Sequence, residues 1–157
     1  MARSLHQPGS MDSAHAPSSR QACRAVTIGD VMHRDYVAIS QEELLKEACI
    51  IMRLARLRHL PVEQNGFLVG ILSYRDLQDY ALQRRAEDER KPGAKVEGAM
   101  VNAPYVVTPE SSLEEASWRM CQLHIGCLPV VKPTEDGPLL VGVVTETDLL
   151  RAAYPLS

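Results

Sequence analysis

Two segments of the chain carry the same arrangement of glycine, hydroxyl and carboxylate. One is Gly70-Ile71-Leu72-Ser73-Tyr74-Arg75-Asp76; the other is Gly142-Val143-Val144-Thr145-Glu146-Thr147-Asp148. Each reads as the end of an apolar strand where a helix begins. Free backbone N–H groups and the helix dipole make such a place favourable for a phosphate. The hydroxyls of Ser73 and Thr145 can donate to a phosphate oxygen, and the carboxylates of Asp76 and Asp148 can accept from both hydroxyls of a ribose. Gly70 and Gly142 let a ligand or a neighbouring stretch of backbone come close. Arg75 can pair with a phosphate, and Glu146 is read as its counterpart of opposite charge in the second segment. Two sites built on these segments are therefore expected to differ, the first taking anionic phosphates more readily. The same residues also have a purely structural use. Ser/Thr-x-x-Asp is a capping-box pattern, and a cap alone is worth about 1 kcal/mol. Both uses stay open.

The elements that must position these groups come from an internal repeat. Met32, Leu45, Glu47, Ala48, Met52 and Leu60-Pro61-Val62 recur 68 residues later as Met100, Leu113, Glu115, Ala116, Met120 and Leu128-Pro129-Val130. Val69-Gly70 and Asp76-Leu77 recur 72 residues later, and the four additional residues are assigned to a longer turn in the second copy. Each copy opens with a helical turn, which in the first spans 27–32 and starts at the capping box Thr27-x-x-Asp30. A short extended run follows, Tyr36 to Ile39 or Tyr105 to Val107. Next comes an amphipathic helix with Leu45, Ala48, Met52 and Ala55, or Leu113, Ala116, Met120 and Leu123, on one face. Ser40-x-x-Glu43 and Ser111-x-x-Glu114 are candidate caps for it. Two strands then flank a turn: His59 to Val62 and Phe67 to Leu72 around Asn65-Gly66, and Cys127 to Val131 and Leu139 to Val144 around a loop with Asp136-Gly137. A closing helix completes each unit, from Tyr74 to about Glu89 in the first copy. Its charged run Arg84 to Lys91 reads as a solvated face.

Each unit is thus β-α-β-β-α, too small to be comfortably stable alone. The expected fold is α/β (α+β), a tandem pair packed sheet against sheet around one shared core with pseudo-twofold symmetry. The expected organisation is a disordered tail at 1–24, a first repeat at 25–90, a linker at 91–95, a second repeat at 96–152 and a short end at 153–157.

Composition narrows the function. Net charge is −3, so no nucleic-acid partner is expected. No apolar stretch is long enough for a membrane span and the first 24 residues lack a signal-peptide core, so a cytoplasmic location is expected. The four cysteines, Cys23, Cys49, Cys121 and Cys127, include no C-x-x-C pair and read as thiols of a reducing compartment. His33, His59 and His124 are scattered, and no metal site is expected. No catalytic constellation is present among the known motifs, so the chain is not expected to be an enzyme.

Taken together, Asp-Val-Met, His-Leu-Pro-Val, Gly-Ile-Leu-Ser-Tyr-Arg-Asp-Leu and Gly-Val-Val-Thr-Glu-Thr-Asp-Leu resemble the cystathionine-β-synthase (CBS) domain in its tandem form, the Bateman module. The resemblance covers residues 27–151. It implies two clefts at the repeat interface that take an adenosine-containing ligand: AMP, ADP, ATP or S-adenosylmethionine. The ligand would be a signal, with no cofactor required. It further implies a homodimer that regulates an unidentified partner protein, here without an attached catalytic domain. The ligand residues implied are Gly70, Ser73, Arg75 and Asp76 with Gly142, Thr145 and Asp148, joined by Ser40 and Thr108 just after the first strand of each copy. Pro61 and Pro129 lie near the implied adenine pocket and are read first as scaffold. The alternative is a ligand-independent dimerisation or interaction module whose signature residues are helix caps.

Overall fold

The structure is a computed structural model that describes residues 26–84 and 93–154. The predicted tail, most of the charged run and the first part of the linker lie outside the described residues.

Helix α1 (Ile28–Val31) is followed by β1 (Ile39–Ser40), α2 (Leu45–Ala55), the hairpin β2 (His59–Gln64) and β3 (Phe67–Ser73), and α3 (Tyr74–Arg84). The second copy runs through a 3-10 turn (Val96–Gly98), β4 (Val101–Asn102), α4 (Leu113–Leu123), the hairpin β5 (Cys127–Thr134) and β6 (Gly137–Thr145), and α5 (Glu146–Ala153). The sheet order is β1-β2-β3-β6-β5, with β4 paired to β3. The two hairpins meet near their turns, where Phe67 pairs with Leu139 and the Leu140 N–H donates to the Gly66 carbonyl at 3.1 Å.

Both hairpin turns have two residues. Asn65 and Gly66 have positive φ of 54° and 84°, which matches the right-handed twist of the flanking strands and suits Asn-Gly. In the second hairpin Thr134 pairs with Gly137, so the turn is equally tight. The four additional residues therefore do not enlarge the turn. They lengthen each strand by two, from six to eight and from seven to nine.

The predicted amphipathic faces are realised with one exception. Leu45, Ala48 and Met52 are buried, and so are Ala116 and Met120. Ala55 is exposed, because α2 ends there and Arg56 turns the chain out with φ 54°. The predicted caps are also displaced. Ser112 caps α4 by accepting from the Glu115 N–H at 3.0 Å, while α2 follows Leu44 and has no side-chain cap. Ser40 Oγ instead accepts from the Glu42 N–H at 3.3 Å, and Ser111 Oγ from the Thr108 N–H at 3.3 Å, both within turns.

The core departs from the single shared one that the repeat suggests. Each repeat has its own cluster, and each cluster is completed by the opening segment of the other copy. Ile28 and Met32 sit with Val107, Ala116, Met120, Leu128, Val130, Val144 and Leu149. Val96 sits with Ile39, Leu45, Ala48, Met52, Leu60, Val62 and Leu72, and Met100 packs against it. The backbone repeats this exchange. The Ile28 N–H donates to the Ser111 carbonyl at 2.9 Å and the Gly29 N–H to the Pro109 carbonyl at 2.8 Å. The Val96 N–H donates to the Glu43 carbonyl and the Leu45 N–H to the Ala94 carbonyl, both at 2.8 Å. A third cluster of Leu68, Val131 and Leu140 lies at the seam between hairpins, where the Tyr36 hydroxyl donates to the Leu140 carbonyl at 3.1 Å.

The exchange explains the two glycines. A Cβ on Gly70 would stand 2.7 Å from Met100 Sδ and 3.0 Å from the Val101 carbonyl. One on Gly142 would stand 2.8 Å from the His33 carbonyl and 3.0 Å from Met32 Sδ. The close neighbour at both glycines is the exchanged segment of the other copy.

Candidate functional site

Strand β3 ends at Ser73 and α3 starts at Tyr74. The Ser73 N–H and Oγ–H both donate to Asp76 Oδ2, at 2.7 and 2.6 Å, and the Asp76 N–H donates back to Ser73 Oγ at 3.2 Å. The Thr145 N–H and Oγ–H likewise donate to Asp148 Oδ2, at 2.9 and 2.6 Å. The capping use of both segments is thus realised. Each hydroxyl proton is held by its own aspartate, since a hydroxyl has one hydrogen to give. The Tyr74 N–H is also engaged, donating to the Arg58 carbonyl at 2.9 Å.

The two aspartates differ in what remains. Asp148 Oδ1 accepts from His33 Nε2 at 2.8 Å, and the residue is only 6% exposed. Among the described residues Asp76 Oδ1 has no such partner, and Asp76 lines an open cleft of about 660 Å³. One wall is the first copy's segment, with Ser73, Tyr74, Arg75 and Asp76 beside Arg58, His59 and Ile71. Facing it are β4 and the following loop, Val101 to Tyr105, and the stretch Leu123 to Cys127 with Pro129 and Glu146. The cleft therefore combines an apolar shelf, an accepting carboxylate and two guanidinium groups, within the size range of small-molecule pockets.

Its electrostatics are mixed. Burial, and then the charge of Arg58, lower the His59 pKa from its ordinary 6.5, while the carboxylates of Asp76 and Glu146 pull it the other way. The Cys127 thiol is pushed up to about 12 by burial and by Asp148, which leaves it an inert wall group.

Of the residues expected from sequence, the cleft brings together Ser73, Arg75 and Asp76. Gly70 and Gly142 lie under exchanged backbone, Ser40 and Thr108 belong to turns, and Thr145 and Asp148 form the capped pair bound to His33. The pairing of Arg75 with Glu146 needs correction. Tyr74 and Glu146 are the first residues of α3 and α5, so the true counterpart of Arg75 is Thr147. Arg75 and Glu146 line the same cleft, so their opposite charges do not distinguish two sites. Nothing in the sequence marks Arg58, Val101 to Tyr105 or His124 to Gly126 as residues of this cleft. Their only signal there is position, after a short opening helix or at the end of the central one.

Residues 28–83 and 96–154 each match the CBS domain family. The chain belongs to the CBS-domain family. The CBS-domain-containing protein YhcV of Bacillus subtilis is 32% identical over 125 residues, covering 78% of this chain and 82% of YhcV. Inosine-5'-monophosphate dehydrogenase of Korarchaeum cryptofilum is 33% identical over 125 residues, but the CBS pair spans only 24% of that enzyme. Among solved structures, CBSX2 in complex with AMP superposes with a TM-score of 0.69 at 28% identity, covering 82% of this chain and 96% of that one. Among the described residues, no helix of the CBS pair is long and apolar enough to cross a membrane.

Proposed function

We propose that this CBS pair is a non-catalytic regulatory module that binds an adenosine-containing nucleotide in the cleft at Asp76. The observation that carries the reading is Asp76, whose Oδ1 has no hydrogen-bond partner among the described residues and which lines a cleft of about 660 Å³ together with Arg75 and an apolar shelf. A cleft-lining carboxylate with an oxygen to spare suits the paired hydroxyls of a ribose. Arg58 and Arg75 suit phosphate oxygens by charge-assisted hydrogen bonds. Ile71, Val101 and Ile125 offer apolar surface to an adenine face. Ser73 would join only by turning its proton away from Asp76. The AMP complex of CBSX2 supports AMP as the first ligand to try, with ADP, ATP and S-adenosylmethionine behind it.

Because the cleft has walls from both repeats, a bound nucleotide would favour the arrangement it fits best and shift the population toward it. The altered surface would be read by a partner protein. Exposed Ile50, Leu54 and Trp118 on α2 and α4 offer an apolar face for a homodimer. The second reading, a ligand-independent interaction module, draws on Thr27 and Asp30. They form the same cap away from the cleft, with the Thr27 N–H donating to Asp30 Oδ2 at 2.9 Å. The pattern can therefore serve a helix end alone.

A thermal-shift screen against AMP, ADP, ATP and S-adenosylmethionine separates the two. A ligand at about 100 times its Kd adds roughly 2.7 kcal/mol, a shift of several degrees. The nucleotide reading expects a dose-dependent shift that Asp76→Ala removes. No shift with any of these ligands, in protein free of carried-over nucleotide, would favour the interaction module.

A further inference from the structure

We infer that His33 blocks the second nucleotide position of the CBS pair by engaging its aspartate, so that the chain offers one open site. The inference rests on the nucleotide reading above and specifies how many sites the module has.

The two halves are related residue by residue. His33 stands 68 positions before Val101, and each bridges the strand that ends in a Ser/Thr-x-x-Asp cap: Val101 pairs with Ile71, and His33 with Val143. The His33 backbone is pinned there. Its N–H donates to the Val143 carbonyl at 2.8 Å, and the Val143 N–H donates to the His33 carbonyl at 3.0 Å. From this place the imidazole Nε2 reaches Asp148 Oδ1 at 2.8 Å. Oδ2 is already taken by the Thr145 N–H and hydroxyl, at 2.9 and 2.6 Å. Both oxygens of Asp148 are satisfied inside the protein, and 6% of the residue remains exposed. A ribose arriving at Asp148 would have to displace the imidazole.

At the matching place in the other half, the Val101 side chain has no donor to offer. Asp76 Oδ1 has no partner among the described residues, and Asp76 and Val101 line the same cleft. At this matched place, histidine or valine decides whether the signature aspartate has a side-chain partner from the other copy.

The test is calorimetric titration with AMP, read as equivalents bound per chain. Wild type is expected to bind one equivalent, lost in Asp76→Ala. His33→Val is expected to bind two, and His33→Val with Asp76→Ala to keep one, which Asp148→Asn then removes. The reverse change, Val101→His, places a donor beside Asp76 and is expected to weaken AMP binding at least tenfold. It keeps the test decisive should His33→Val unfold. Two equivalents in wild type, one equivalent in folded His33→Val, or unchanged affinity in Val101→His would overturn the inference and leave the nucleotide reading standing. No AMP binding by any of these proteins would overturn both.

Discussion

Met100 lies so close over Gly70 that a β-carbon there would stand 2.7 Å from its sulfur. The sulfur can swing away, but the Val101 carbonyl at 3.0 Å is backbone and cannot. Gly70→Ala is therefore expected to destabilise the fold by about 1–3 kcal/mol through overpacking. Gly142→Ala should cost at least as much, since its nearest neighbour is the His33 carbonyl at 2.8 Å. Urea unfolding reads both as a lower midpoint at unchanged slope.

The exchange of opening segments predicts where damage travels. Ile28 is fully buried in the second repeat's core. Ile28→Ala should cost about 2–5 kcal/mol. Hydrogen exchange should then quicken most in α4, β5 and β6, which share its cluster. Faster exchange confined to α2, β2 and β3 would place Ile28 with its own repeat instead.

The two signature aspartates should differ in stability terms. Asp76→Ala removes a cap, at about 1 kcal/mol. Asp148→Ala removes a cap and the pairing with His33 in a nearly buried position, at about 2–4 kcal/mol. Equal losses in a denaturant titration would contradict the asymmetry of the two halves.

His59 predicts a pH dependence. Burial and Arg58 hold its folded pKa below the ordinary 6.5 that it regains on unfolding. As pH falls below 6.5, the unfolded chain takes up the proton first, so stability is lost on acidification through the window down to the folded pKa. Above 6.5 the imidazole is neutral in both states and the contribution is level. His59→Gln should remove that slope, read as the difference in midpoint between the two proteins across this window.

Much of this architecture was legible in the residues. The register of the repeat, the Asn65-Gly66 turn and the helix faces follow from periodicity and turn chemistry, which are local. The exchange was not legible, because an apolar helical turn such as Ile28 to Met32 announces that it needs a core without saying which. The four additional residues looked like a longer turn because Asp136-Gly137 is a turn signal, whereas strand pairing absorbed them. The site was legible in part. Ser73, Arg75 and Asp76 lie next to one another in the chain and line one cleft. The bond between His33 and Asp148 spans 115 positions, and no local pattern foretells it. The facing wall at Val101 to Tyr105 is likewise brought in by packing.

The most direct test of the nucleotide reading is hydrogen exchange of the wild-type chain with and without saturating AMP. Protection is expected at the start of α3, residues 73–77, and across the cleft at 101–105, because a ligand held between Asp76 and Val101 screens both walls at once. Unchanged exchange in both segments at saturating AMP would contradict a nucleotide site in this cleft.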